Sequence, residues 1–127
     1  MLRIEDLKST DAPAIHFVRA SEIAGLLALE LNGRDVADRD HLLTELGRVL
    51  EFPAYYGRNW DSFEECLHDR AERDRGGCVL VIRDAGGLWA QLPRDLGLLV
   101  SIWLAAAEWL KSVHIPLHLI FVLEPAA

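Results

Sequence analysis

The chain has 127 residues, of which 51% are hydrophobic and 26% are charged, and its formal net charge at pH 7 is −7. This length and composition predict one globular domain with a buried core, and they exclude extended disorder. The acidic balance disfavours nucleic acid and anionic membranes as direct partners, because both attract basic surfaces. It is compatible with a basic protein partner.

The cysteines and the first residues predict a reduced, cytoplasmic protein. Cys66 and Cys78 are too few for a disulfide scaffold. Residues 1–6 show no apolar signal core behind a basic start. The longest apolar-rich stretch, residues 96–110, is interrupted by a serine and a glutamate and is too short to span a membrane.

Hydrophobic patterning predicts the first elements of the chain. Residues 1–14 mix charges with Ser, Thr and proline, which indicates an irregular lead-in, and residues 15–19 predict a short strand. Residues 26–31 form an apolar run that predicts a second strand. The Asn32-Gly33 pair that follows is a strong turn signal and ends this strand.

Two helices joined by a loop are predicted next. Asp38 or Asp40 can cap the first helix, in which leucines recur at helical spacing. Phe52-Pro53 ends it, because the residue before a proline resists helical geometry. Asn59 can cap the second helix, which we expect to run from Trp60 to about Ala71.

The C-terminal half predicts two more strands around a long helix. Residues 78–82 are an almost unbroken apolar run, which suits a strand covered on both faces. Residues 84–92 contain a Gly-Gly pair and predict a loop with a helical turn, and Pro93 fits the start of the long helix. Residues 117–123 predict the last strand, and residues 125–127 a tail.

The order of these elements predicts the fold class. Strand, helix, helix, strand, helix, strand is the alternation of a compact α/β domain with a small, mainly parallel sheet packed with helices. We expect about three core strands, with one extra strand near the N-terminus.

The stretch from Phe52 to Leu67 is the most informative part of the sequence. On a helix at about 100° per residue, Asp61, Glu64 and Glu65 share one face with His68. The opposite face carries four residues that suit the core: Trp60, Phe63, Cys66 and Leu67. Taken singly, these features have ordinary structural interpretations: acids complement the dipole of the first turn, tyrosines pack in loops, a glycine makes a turn and an asparagine caps a helix.

In combination, the residues resemble the barstar family, whose members are small intracellular inhibitors of barnase-type extracellular ribonucleases. The resemblance rests on eight residues in the family's order and spacing: Pro53, Tyr55, Tyr56, Gly57, Asn59, Asp61, Cys66 and Leu67. It extends more loosely over residues 26–124, which makes residues 1–25 an N-terminal extension of the single domain 1–127. The sequence departs from the best-known member at Glu65, where that member has an aspartate, and at Glu64, where it has a tryptophan.

The resemblance implies a mechanism and a binding surface. An acidic helix and the preceding loop would plug a basic nuclease active site in a one-to-one complex. Tyr55 would pack against the nuclease, Gly57 would let the backbones approach, and Asn59 would orient the helix. Asp61 would meet a basic side chain and Glu65 would replace the substrate phosphate. Two further candidates for the surface are Glu64 and, near the end of the long helix, Glu108.

Other functions remain as alternatives. The same scaffold would suit an immunity protein against a nuclease toxin, or an acidic regulatory module for a partner that is not a nuclease. Asp61, Glu64 and Glu65 could also be paired carboxylates of an enzyme. A metal site at Glu65, Cys66, His68 and Asp69 is poorly formed, because Cys66 lies on the opposite helix face. We therefore expect no catalytic residue, metal or cofactor, and a buried structural role for Cys66.

Overall fold

A computed structural model describes residues 2–125, so most of the predicted tail lies outside the described residues. Two short 3-10 turns, Ala20–Ile23 and Gly33–Asp35, accompany the regular elements. The helices are α1 (Ile4–Leu7), α2 (Arg39–Val49), α3 (Trp60–Arg73), α4 (Ala85–Gln91) and α5 (Pro93–Lys111), and the strands are β1 (Ile15–Val18), β2 (Leu29–Asn32), β3 (Cys78–Arg83) and β4 (Leu117–Val122).

The strands form one parallel sheet in the order β1-β4-β3-β2. Parallel neighbours need long crossover connections, and helices supply them here. α2 and α3 connect β2 to β3, and α4 and α5 connect β3 to β4. All six residues of β4 are buried, as expected for an inner strand covered on both faces. The predicted α/β class is confirmed, and so is the extra N-terminal strand.

One face of the sheet is covered by helices α2 to α5. Leu80 and Ile82 of β3 point to this face, together with Leu119 and Phe121 of β4, and all four are fully buried. Trp103 of α5 packs in the same cluster with no exposed surface. None of the helices within residues 2–125 is long and apolar enough to cross a bilayer.

The N-terminal segment covers the opposite face. Val81 of β3 and Ile120 of β4 are buried there against Leu7 of α1 and Ile23 of the first 3-10 turn. β1 pairs with β4 along its whole length. The sequence predicted an irregular lead-in over residues 1–14 and a short strand over residues 15–19, without a place for this extension in the fold. The described part of residues 1–25 supplies an edge strand and a second covering layer.

Two histidines tie this layer to the sheet. His118 of β4 is 1% exposed, and its Nε2 lies 3.0 Å from the carbonyl oxygen of Ser9. A carbonyl only accepts, so Nε2 carries the proton and the neutral ring accepts at Nδ1. His16 Nε2 lies 2.9 Å from that Nδ1 and donates to it. In this arrangement the His118 ring must be neutral, because a protonated Nδ1 could no longer accept from His16.

β2 begins later than the apolar run predicted. The strand starts at Leu29, which pairs with Leu80 of β3. Leu26 and Ala28 instead pack against the N-terminal layer, and Leu27 between them is 95% exposed. The first part of the apolar run thus belongs to the N-terminal layer and only its end belongs to the sheet. The predicted strand start at residue 26 is therefore wrong.

Residues 84–92, predicted as a loop with a helical turn, are mostly helix, since the two turns of α4 occupy seven of them. The Gly86 N–H donates to the carbonyl oxygen of Leu123, which follows β4, at 3.1 Å. A Cβ at Gly86 would lie 2.6 Å from the same oxygen. This glycine therefore permits close packing at a helix start, whereas the sequence suggested a turn. A short helix, α1, likewise lies inside the predicted irregular lead-in.

The histidine pair predicts a loss of stability on mild acidification. Burial, the largest cause for both rings, lowers the pKa of His16 and of His118, and for His16 the neighbouring ring lowers it further. The Asp6 carboxylate and, for His118, the carbonyls of Ser9 and Pro13 oppose this. The folded protein thus binds these protons less readily than the unfolded chain, whose histidines titrate at about pH 6.5. The free energy of unfolding should fall as the pH drops below that value.

Urea unfolding at about pH 7.5 and about pH 5.5 checks this, since carboxylates titrate mostly below that range. The free energy of unfolding should differ less between the two pH values in His118→Leu than in the native protein. It should persist in the control His114→Asn, because His114 is exposed and its left-handed backbone (φ 59°) tolerates asparagine. Equal pH dependence in all three proteins would contradict the assignment.

Candidate functional site

The loop between α2 and α3 begins with a tight reversal. Glu51 adopts a left-handed backbone conformation with φ 57°, which stops the helix. The Phe52 N–H then donates to the carbonyl oxygen of Gly47 at 2.9 Å. The Phe52 ring packs edge-on against Tyr56 and Phe63. These contacts anchor the start of the loop in the core.

Tyr56 fixes the middle of the loop from the inside. Its hydroxyl donates to the carbonyl oxygen of Leu43 in α2 at 2.8 Å. Its ring lies so close to Gly47 that a Cβ there would collide with it, so α2 needs a glycine at this point. Burial, the main cause, raises the pKa of the Tyr56 phenol well above its usual value. Tyr56 is therefore an internal anchor of the loop.

Tyr55 lies on the outer side of the same loop. Its side chain is 62% exposed, and its hydroxyl donates to Oδ2 of Asp69 in α3 at 2.8 Å. The hydrogen bond to the Asp69 carboxylate is the main cause that raises the pKa of the Tyr55 phenol, because the bond requires the protonated form. The exposed ring is thus held in one position against α3.

A small hydrogen-bond network joins the loop to the start of α3. Oδ1 of Asn59 accepts from the Ser62 N–H at 2.8 Å, which confirms the predicted cap. Oγ of Ser62 accepts from the Gly57 N–H at 2.7 Å. The left-handed residue is Arg58, with φ 53°, so the expected glycine turn lies one residue later. Gly57 is exposed, and its backbone is fixed by Ser62.

α3 divides into a buried and an acidic face as its spacing predicts. Phe63, Cys66 and Leu67 are at most 1% exposed, whereas Asp61, Glu64 and Glu65 are all exposed. Trp60 is half-buried, and its Nε1 donates to Oδ1 of Asp95 in α5 at 3.1 Å. The buried face and this bond fix the rotation of the helix about its axis.

The acidic face of α3 presents three carboxylates. Within residues 2–125, Asp61, Glu64 and Glu65 form no ion pair, and the acids that do are in other segments. Asp61 lies in the first turn of α3, where the helix dipole stabilises negative charge. The structure therefore presents a cluster of unpaired negative charge beside the exposed ring of Tyr55.

Glu108 is placed away from this cluster. It is exposed on α5 and lines an open groove of about 310 Å³ with Leu104, Lys111 and residues 10–14. Trp109, the next residue, does contact α3, because the centroid of its ring lies 5.0 Å from that of the His68 ring. The structure thus brings six of the seven predicted residues together on the loop and the first turns of α3. Glu108 lies on α5, in the groove beside residues 10–14.

Cys66 and His68, two of the residues considered as metal ligands from the sequence, lie in different surroundings in α3. Cys66 is buried, and burial raises the pKa of its thiol, so it is an unreactive core residue. His68 faces Trp109. In the described part of the chain, no group of three His, Cys, Asp or Glu side chains could hold a metal ion.

Sequence reasoning missed two residues that organise the site. Asp69 fixes Tyr55, and Ser62 fixes Gly57. Asp69 could have been found, because Asp61, Glu65 and Asp69 follow each other at intervals of four residues and therefore lie on one helix face. Ser62 carried no comparable signal, because a serine in a first helical turn has many possible partners.

Comparison with known proteins identifies the family. The family model described as Barstar (barnase inhibitor) matches residues 26–122, which is most of the chain. A search of curated proteins gives no significant match. The match covers the loop, α3 and three of the four strands, and residues 1–25 and 123–127 fall outside it. This chain belongs to the barstar family.

Proposed function

We propose that this protein inhibits a barnase-type ribonuclease by binding it one-to-one and covering its active site. The family is one of barnase inhibitors and not of enzymes. One observation carries the proposal: Asp61, Glu64 and Glu65 are exposed on one face of α3 with no ion-pair partner in the described chain. Two buried free cysteines are compatible with action in the reducing cytoplasm.

Charge decides which partner fits this face. A ribonuclease active site is basic, because it binds the phosphates of RNA. Glu65 would take the position of a substrate phosphate among those cations, and Asp61, one helical turn earlier, would meet a neighbouring basic side chain. Glu64 would add charge at the rim. Unlike a phosphodiester, these carboxylates offer no bond to cleave.

The loop supports the proposal because it is ordered before binding. Tyr56 holds it from inside, Ser62 holds Gly57, and Asp69 holds the exposed ring of Tyr55. A surface fixed in advance loses little conformational entropy on association. Tyr55 would then pack beside the catalytic centre. Gly57, which has no side chain, would let the nuclease backbone approach.

Glu65→Gln tests the charge at the centre of the proposed contact. A hydrogen bond to a charged group contributes about 1.5–3 kcal/mol. The inhibition constant against a sensitive barnase-type ribonuclease should therefore rise about tenfold to a hundredfold. Thermal stability should change by less than about 0.5 kcal/mol, because the side chain is exposed. RNA cleavage under titration with each variant gives the constants.

Glu72→Gln is the matched control. Glu72 is an exposed glutamate on the same helix, seven residues and about 10 Å further along its axis. Its loss removes the same charge from the chain, so inhibition should weaken only about twofold or less through the long-range field. Equal losses in both variants would contradict a local contact at Glu65. Failure of the native protein to inhibit any ribonuclease of this type would favour a nuclease toxin or another partner.

Asp69→Asn tests whether Tyr55 is held as described. The chain has only two tyrosines, and the pKa of each phenol is raised above the usual value of about 10. Without the carboxylate, the pKa of Tyr55 should fall toward that usual value, while Tyr56 stays protonated. Phenolate absorbance during an alkaline titration measures both steps, and circular dichroism shows that the fold persists. Tyr55→Phe should remove the titration step that Asp69→Asn moves. An unchanged titration in Asp69→Asn would contradict the contact between Tyr55 and Asp69.

A further inference from the structure

The solvent-facing side of α5 is apolar over its middle turns. Leu98 is 43% exposed and Leu104 is 46% exposed, so two leucines on this outer helix face contact solvent. Across these turns the exposed residues carry no charge. We call this surface the α5 outer face, and it comprises Gly97, Leu98, Ser101, Leu104 and Ala105.

The α5 outer face is arranged symmetrically about Ser101. Leu98 and Leu104 lie three residues on either side of it, and Gly97 and Ala105 lie four. At about 100° per residue, the two leucines flank the centre line of the face on opposite sides, and the small residues lie nearer to it. A surface with this symmetry complements a copy of itself.

Opposite charges border the face at equal distances. Arg94 precedes Ser101 by seven residues, and Glu108 follows it by seven, so each lies about 10 Å away along the helix axis. Both side chains are exposed, and within residues 2–125 neither forms an ion pair. Each is therefore available to a charge on a second molecule.

We propose that the α5 outer face binds a second copy of this chain, with the two helices antiparallel and a two-fold axis beside Ser101. In this arrangement Arg94 of each copy lies opposite Glu108 of the other. Leu98 faces the small side chain of Ala105, and Leu104 faces Gly97, so each large residue meets a small one. The two copies thus match in charge and in shape.

This assignment gives Glu108 a role different from nuclease binding. Glu108 lies apart from the acidic cluster of α3, so its charge should matter for self-association and little for inhibition. The dimer does not depend on the proposed function, because the α5 outer face contains none of the residues that carry it.

Sedimentation equilibrium of the untagged full chain tests the proposal, with concentrations up to about 0.5 mM chosen to reach a weak dimer. The native protein should show a reversible monomer–dimer equilibrium. Arg94→Glu and Glu108→Arg should each weaken it about tenfold or more, because each places like charges together at two symmetric positions. The double variant Arg94→Glu/Glu108→Arg should restore it, a rescue that a merely structural effect would not produce.

Ser101→Glu provides an independent check at the symmetry axis. Two carboxylates would meet there, so no dimer should form, while circular dichroism should show an unchanged fold because Ser101 is exposed. A monomeric native protein at every concentration would overturn the proposal. So would a dimer that Ser101→Glu leaves intact, or single charge variants that the double variant fails to rescue.

Discussion

The packing of α3 against the core is the constraint on which the rest of the site depends. Phe63, Cys66 and Leu67 have almost no exposed surface, so the helix can take only one rotation about its axis. That rotation turns Asp61 and Glu65 outward. The acidic face is therefore a consequence of burial on the other side of the helix, which directs these side chains into solvent.

The loop before α3 follows from a second close contact. The Tyr56 ring occupies the space that a side chain at Gly47 would fill, and its hydroxyl completes a hydrogen bond to α2. With Tyr56 inside, the next residue toward the N-terminus, Tyr55, is on the outside and reaches Asp69. Adjacent tyrosines thus have opposite tasks: one anchors the loop, and the other forms part of the exposed surface.

Periodicity predicted the features that depend on neighbours in sequence. The two faces of α3, its Asn59 cap and the buried strand β3 all follow from spacing along the chain, and the structure has them. Contacts between distant segments were beyond that reasoning. The link from His16 to His118 joins residues far apart, and β2 was misplaced because its apolar run serves two layers. The sequence suggested a turn at Gly86, because the residue that requires a glycine there, Leu123, is remote in sequence.

The proposed function places this protein in the phosphate-binding site of a ribonuclease, where it must compete with nucleotides. Titration calorimetry can measure its affinity for the nuclease at increasing concentrations of a mononucleotide that fills the active site. We expect the apparent dissociation constant to rise linearly with the nucleotide concentration, because the two ligands exclude each other. An unchanged dissociation constant at a saturating nucleotide concentration would show that binding occurs elsewhere and would contradict the proposed function.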